Sequence, residues 1–205
     1  MNKVIILLIV VITVIGSIYI GTDYFTIRPS LQEKTVDFVT LPPGFKIALF
    51  AENLGGSVIS TPGPNPGARF MEFKNYTVFV AIPGEGIIVT LEDKDKDSVP
   101  EIRKVFLAKL TRPHNIAFYK DWVYIAEEDK IVRVQDADGD NIAEVSTLEK
   151  VIDLPSGSHW TRTIRIFDDA LYVSTGSTCN VCHEKDLRRA TIQKCSLDGK
   201  QCVIF

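Results

Sequence analysis

From Val4 to Ile20 the chain carries no charged residue, and no comparable run occurs later. After residue 22 the apolar positions come in short alternating segments punctuated by Gly, Pro, Asn and Asp. That is the pattern of half-buried β-strands, and no long helical periodicity competes with it. Residues 22 to 38 are mixed polar and read as a spacer. Leu41-Pro-Pro-Gly-Phe45 opens a predicted strand, Phe45 to Phe50, and a Gly/Pro-rich loop follows at residues 60–67.

The segments repeat. Phe73-Lys-Asn-Tyr-Thr-Val-Phe-Val-Ala81 aligns with Phe118-Tyr-Lys-Asp-Trp-Val-Tyr-Ile-Ala126, and Ile166-Phe-Asp-Asp-Ala-Leu-Tyr-Val-Ser174 matches both, at spacings of 45 and 48 residues. Each unit is a strand end, a polar turn and an alternating strand with an aromatic in the same place. Between them, Ile87–Asp97 leads into Ile102–Leu107, and Ile131–Asp140 into Val151–Leu154. The period therefore covers a strand, an acidic turn and another strand as well. A four-stranded repeat of this length is a β-propeller blade. The predicted fold is all-β, with a β-sandwich as the alternative. Two repeats are complete and a third stops at Val203-Ile204-Phe205, so the sequence predicts a ring that does not close within it.

The first 22 residues read as a signal anchor, with a cleaved signal peptide as the alternative. No small-x-small cleavage site follows the apolar run, and Lys3 before it places the remainder outside the cytoplasmic membrane. The expected location is therefore extracytoplasmic, tethered to the membrane by the N-terminal helix. A formal net charge of -3 supplies no basic field for nucleic acid. All four cysteines, Cys179, Cys182, Cys195 and Cys202, lie in the last 27 residues, and in an exported protein they read first as disulfides. Cys195 and Cys202 flank Ser-Leu-Asp-Gly-Lys-Gln, a hairpin signal that makes a cross-strand bridge between them plausible.

Candidate chemistry gathers before the repeating strands. His114 lies in Arg112-Pro-His-Asn-Ile-Ala-Phe118 and His159 in Ser156-Gly-Ser-His-Trp-Thr-Arg-Thr-Ile164, at what the repeat makes equivalent places. In a propeller those loops face the central channel. A Gly-flanked loop with His, Trp, Thr and Arg is rich in hydrogen-bonding groups. The bland reading is that His159 caps a strand and Arg162 pairs with an acid.

On these residues the chain resembles the glucose/sorbosone dehydrogenase family, quinoproteins that use pyrroloquinoline quinone (PQQ) on a six-bladed propeller. Leu41–Phe45, Arg112–His114, Asp136–Asp140, Leu154-Pro-Ser-Gly-Ser-His-Trp-Thr-Arg-Thr163 and Leu171–Cys182 carry the resemblance, over residues 39 to 205. It implies oxidation of an aldose or sorbosone-like sugar at C1, with His159 as general base and hydride passing to the quinone. It also implies that Arg162 contacts the acidic cofactor or its carbonyl, with His114, Gly176 and Ser177 as further cofactor-binding positions and Ca2+ as a second cofactor. The electron acceptor is not indicated. Where soluble family members have Gly-Asp, this chain has Gly176-Ser177. The remaining basic clamps and the calcium site lie in later blades, so the sequence predicts weak or no PQQ binding by these residues alone. The rival from another class is a membrane-tethered propeller that binds without catalysing.

Two further patterns stand in the sequence. Cys179-Asn-Val-Cys182-His183 matches the c-type haem attachment signature, but it sits inside a blade and the family pattern carries the same cysteines without needing the histidine. Disulfide or structural turn is the preferred reading, with metal or redox use a lesser alternative. Asp93, Asp95 and Asp97, and then Asp136, Asp138 and Asp140, place acids at positions 1, 3 and 5 as an EF-hand does. Lys104 and Thr147 replace the Glu needed at position 12. A solvated turn is expected, with Asp136, Asp138 and Asp140 as a weak calcium candidate.

Overall fold

The computed structural model describes residues 39–55 and 66–205. The apolar run, the 23–38 spacer and most of the 60–67 loop lie outside the described residues. The chain falls into two units, residues 1–49 and 50–205. In the first, Pro42 accepts a 3.2 Å hydrogen bond from the Phe45 amide in a turn at Pro43-Gly44. The strand expected over Phe45 to Phe50 does not form: the alternation is there, but it pairs with no other strand among the described residues.

The second unit is three antiparallel sheets, each a meander of four consecutive strands. The first holds β1 (Phe70–Lys74), β2 (Thr77–Ile82), β3 (Ile87–Glu92) and β4 (Ile102–Leu107). The second holds β5 (Asn115–Tyr119), β6 (Trp122–Ala126), β7 (Lys130–Gln135) and β8 (Glu149–Asp153). The third holds β9 (Arg162–Phe167), β10 (Ala170–Thr175), β11 (Thr191–Ser196) and β12 (Cys202–Ile204). The third repeat thus has its fourth strand, where the sequence reading let it run out. Among the described residues the one helical element is a 3-10 turn, Val145–Thr147, and no helix is long and apolar enough to cross a membrane.

Each aligned repeat segment is the inner hairpin of a sheet. Its polar turn is two residues long, and Asp168-Asp169 has φ of 49° and 55°, the left-handed pair that matches strand twist in a tight hairpin. The recurrent aromatic has a packing reason. Phe79 points from the first sheet into a core shared with Val123, Ile125 and Ile116 of the second. Tyr124 does the same from the second sheet against Leu171, Val173 and Ile164 of the third. Tyr172 occupies the matching position on the third sheet, where its ring meets Phe205 edge-on at 5.4 Å. Each sheet buries one face on its predecessor, so neighbouring blades stabilise one another. The outward face of the first sheet (Val78, Val80, Ile82, Val89, Leu91) is covered by Phe50, Ala51 and Leu54.

The meander sorts the connections into two ends. The β4–β5 loop, the β6–β7 turn, the β8–β9 loop and the β10–β11 loop share the end where inner strands begin, here called the upper end. The acidic β3–β4 and β7–β8 connections open at the lower end.

Candidate functional site

The upper end is built around the 154–161 loop. His159 is exposed there with φ of +52°, and the preceding Gly157 has φ of +110°, which an L side chain rarely adopts. Gly176 lies directly beneath: a Cβ on it would meet the His159 carbonyl oxygen at 2.3 Å, so only glycine lets the two loops approach. The His159 Nδ1 is 3.3 Å from Ser177 Oγ, and that hydroxyl also donates to the Cys179 carbonyl at 2.7 Å. A serine hydroxyl has one hydrogen. Given to Cys179, it leaves Ser177 Oγ as an acceptor, so Nδ1 of His159 is the protonated nitrogen and Nε2 keeps the free lone pair.

Two buried arginines hold this loop. Arg162, fully buried, donates from Nη1 to the carbonyls of His159 (2.8 Å) and Thr161 (2.9 Å) and from Nη2 to that of Pro155. Arg189, 5% exposed, donates to the carbonyls of Ser158 and Gly176, each at 3.3 Å, and to that of Ser156. Charge-assisted bonds to carbonyls satisfy loop oxygens that no sheet reaches. Burial holds the Arg162 pKa down, and the nearby Arg189 charge adds to this. Glu128, in the β6–β7 turn, ties two blades together: one carboxylate oxygen accepts from Gly157 N and the other from Arg112 Nη1, both at 3.0 Å.

His114 is not the counterpart of His159. Strand register places Arg69, His114 and Arg162 at equivalent positions just inside the upper end, with His159 three residues farther out. His114 Nδ1 donates to the Arg162 carbonyl at 2.7 Å, since a carbonyl can only accept, and its ring meets Trp160 edge-on at 5.6 Å. Burial pulls the imidazole below its ordinary pKa of 6.5, opposed by the Arg162 carbonyl and reinforced by the charges of Arg69 and Arg162. Arg112 stacks at 4.2 Å and Arg69 at 5.8 Å over the Trp160 ring.

The structure thus brings together His159, Ser177, Gly176 and Arg162, and Arg162 in turn meets His114 through its own carbonyl. Sequence reasoning did not single out Arg69, Glu128 or Arg189. Arg112 and Trp160 did stand inside quoted motifs. Arg189 has no sequence signal beyond its side-by-side position with Arg188, which pairs on the surface with Asp186 at 2.7 Å.

The cysteines form two disulfides, Cys179–Cys182 and Cys195–Cys202, the second across the β11–β12 pair. The sulfurs of a haem reading are therefore bonded to each other, and His183 is exposed beside them. The acidic candidates regroup. Asp136 and Asp138 gather with Glu144, and Asp93, Asp95 and Asp97 with Glu101, ligating oxygens lying within 4.8 Å of one another. Asp140 is not in its group; its Oδ1 accepts from the Ile142 amide at 2.7 Å. Both clusters open from lower-end turns, away from His159, so they do not fit a calcium ion that orients a cofactor there.

Three stacked four-stranded blades with a basic, aromatic and imidazole-bearing upper end define a partial β-propeller. The chain belongs to the family described as a domain of unknown function, DUF7133, whose model matches residues 32–199. No curated protein matches it. Among solved structures it is similar to the holo form of the pyranose dehydrogenase PQQ domain from Coprinopsis cinerea, with a TM-score of 0.57, 16% identity, and coverage of 64% of this chain and 34% of that one. It is also similar to a calcium structure of the Trichoderma reesei carbohydrate-active enzymes family AA12, with a TM-score of 0.55 and 17% identity over 65% of this chain and 36% of that one. At these identities the likeness is one of fold. The chain spans about a third of the length of these structures.

Proposed function

We propose that this chain is the base-carrying part of a quinoprotein of the glucose/sorbosone dehydrogenase kind, oxidising a sugar at C1. The single observation that carries the reading is His159. It is an exposed imidazole with Nε2 left basic by the Ser177 bond, on a loop fixed by two buried arginines. The fold it shares with a pyranose dehydrogenase PQQ domain supports the reaction class.

The residues present suit an acidic cofactor, because guanidinium groups outnumber carboxylates around Trp160 and the buried Arg112 Nε has no partner. PQQ, when bound, supplies the hydride acceptor. His159 Nε2 takes the C1 hydroxyl proton, and a neutral imidazole is suited to that near neutral pH. Ser177 keeps the correct tautomer but, being neutral, cannot stabilise the imidazolium as a carboxylate in its place could. Arg162 and Arg189 act on the reaction through the loop they hold. We also propose an extracytoplasmic, membrane-tethered location, which the Val4–Ile20 run and the two disulfides support.

The test is dye-linked aldose oxidation by the protein reconstituted with PQQ and calcium. Replacing His159→Ala is expected to lower kcat by about 100-fold or more, the usual worth of a general base, without loss of the folded circular-dichroism signal. An unchanged rate would sink the assignment. Ser177→Asp, which restores the acidic residue of the family pattern, is expected to raise kcat and Ser177→Ala to lower it; the reverse order would argue against tautomer control.

A further inference from the structure

We infer that Arg69 and Arg112, set about Trp160 at the upper end, form a binding site for the carboxylate of a small organic ligand. Two guanidiniums, Arg69 and Arg112, lie over the Trp160 ring, and among the described residues one carboxylate, Glu128, meets either of them in a hydrogen bond. Glu128 is already shared between Arg112 and the Gly157 amide. Arg162 is occupied by the carbonyls of its loop, so it contributes charge rather than a free donor.

Arg69 and Arg112 are left to act on a ligand. Arg69 is exposed, and its guanidinium lies 5.8 Å from the Trp160 ring centroid. Arg112 has φ of +48°, a left-handed backbone an arginine seldom takes. That turn accompanies a side chain stacked on Trp160 rather than extended into water. Its Nε is shielded from solvent with no acceptor. A guanidinium fork favours a planar oxyanion, and one stacked on an aromatic ring is held in place before the ligand arrives. His114 completes the wall; burial, with the charges of Arg69 and Arg162, holds its pKa below the ordinary value, so near neutral pH it adds no further cation. The position matters because Trp160 directly follows His159. A ligand anchored there by its carboxylate would present the rest of its frame to the base.

One chemistry has two sources: a carboxylate of the cofactor, or that of an acidic sugar such as a hexuronic acid. Only the first rests on the quinoprotein reading. Isothermal titration of the folded chain with PQQ, galacturonate and glucose separates them. Binding of PQQ or galacturonate, but not of glucose, is expected. Affinity should fall about tenfold or more in Arg69→Gln and again in Arg112→Gln, the loss of a charge-assisted hydrogen bond, and should weaken as NaCl is raised. Arg69 is exposed, so its variant keeps the fold and the test survives if Arg112→Gln does not fold. Arginine-dependent binding of galacturonate alone would uphold this site while counting against the quinoprotein reading. PQQ bound equally well by parent and both variants would overturn the site and leave that reading standing. Failure of both acids to bind would overturn the site.

Discussion

The upper and lower ends of the blades solve the same problem in opposite ways. At the lower end each acidic connection is shaped by bonds between its own carboxylates and amides, although the β7–β8 turn also takes bonds from Lys104 and Thr90 of the first blade. Asp95 accepts from Asp97 N and Asp97 from Val99 N, while Asp138 accepts from Asp140 N and Asp140 from Ile142 N. Glu101 caps Lys94 N just as Glu144 caps Ala137 N, both at 2.9 Å. At the upper end, bonds within a loop are joined by bonds between loops: Arg189 reaches back to Ser156, Glu128 to Gly157, Ser177 to His159. Local closure makes a turn that works in isolation. Closure between loops makes a surface whose parts hold one another, and that surface carries the imidazole and the guanidiniums.

The comparison breaks most visibly if the buried guanidinium that holds the His159 loop is removed. Arg162→Met keeps the bulk but leaves three carbonyls without their donor, all of them in the loop that carries His159. A loss of about 3 kcal/mol or more in unfolding free energy is expected, measured by urea denaturation. Sugar oxidation should fall with it even under conditions where the variant is folded. Full activity in a folded Arg162→Met protein would mean that the loop holds itself, as a lower-end turn does.

The same contrast explains what was legible in the sequence. The inner hairpins could be read because alternation and a two-residue turn are local; the recurrent aromatic was visible too, but its packing of Phe79 and Tyr124 between blades is seen only in the structure. The acidic turns were legible for the same reason, at spacings of two. Asp140 stands in the 1, 3, 5 pattern but outside the cluster of Asp136, Asp138 and Glu144, because i, i+2 spacing does not say which side chains turn toward one another. The pairing of His114 with His159 failed because the loop before β9 is longer than that before β5, and only register aligns His114 with Arg162. Phe45–Phe50 shows the reverse limit, where alternation predicts a strand but not a partner. Arg189 was invisible, since nothing near residue 189 states that its guanidinium will meet carbonyls some 30 positions earlier.

A smaller effect separates the two ends by pH. His114 is neutral in the folded protein because burial lowers its pKa from 6.5. The unfolded chain therefore binds a proton that the folded chain refuses as pH falls through about 6.5. Stability from this group is complete above that value and is lost below it, by at most about 1.4 kcal/mol per pH unit. Melting temperatures between pH 7.5 and 5.5 should drop less in His114→Gln than in the parent. Parallel slopes would show that the upper-end histidine is not held neutral.

The smallest change is expected where closure is local. Asp140→Ala removes one carboxylate that caps Ile142 N and lies 4.0 Å from Lys104, both near the surface. About 0.5–1 kcal/mol of stability should be lost, the worth of one exposed cap. The sugar-oxidation rate should not move, because no lower-end group in this turn meets the His159 loop. A rate loss larger than the stability loss would join the two ends energetically. The division between self-closing turns and mutually held loops would then describe hydrogen bonds but not function.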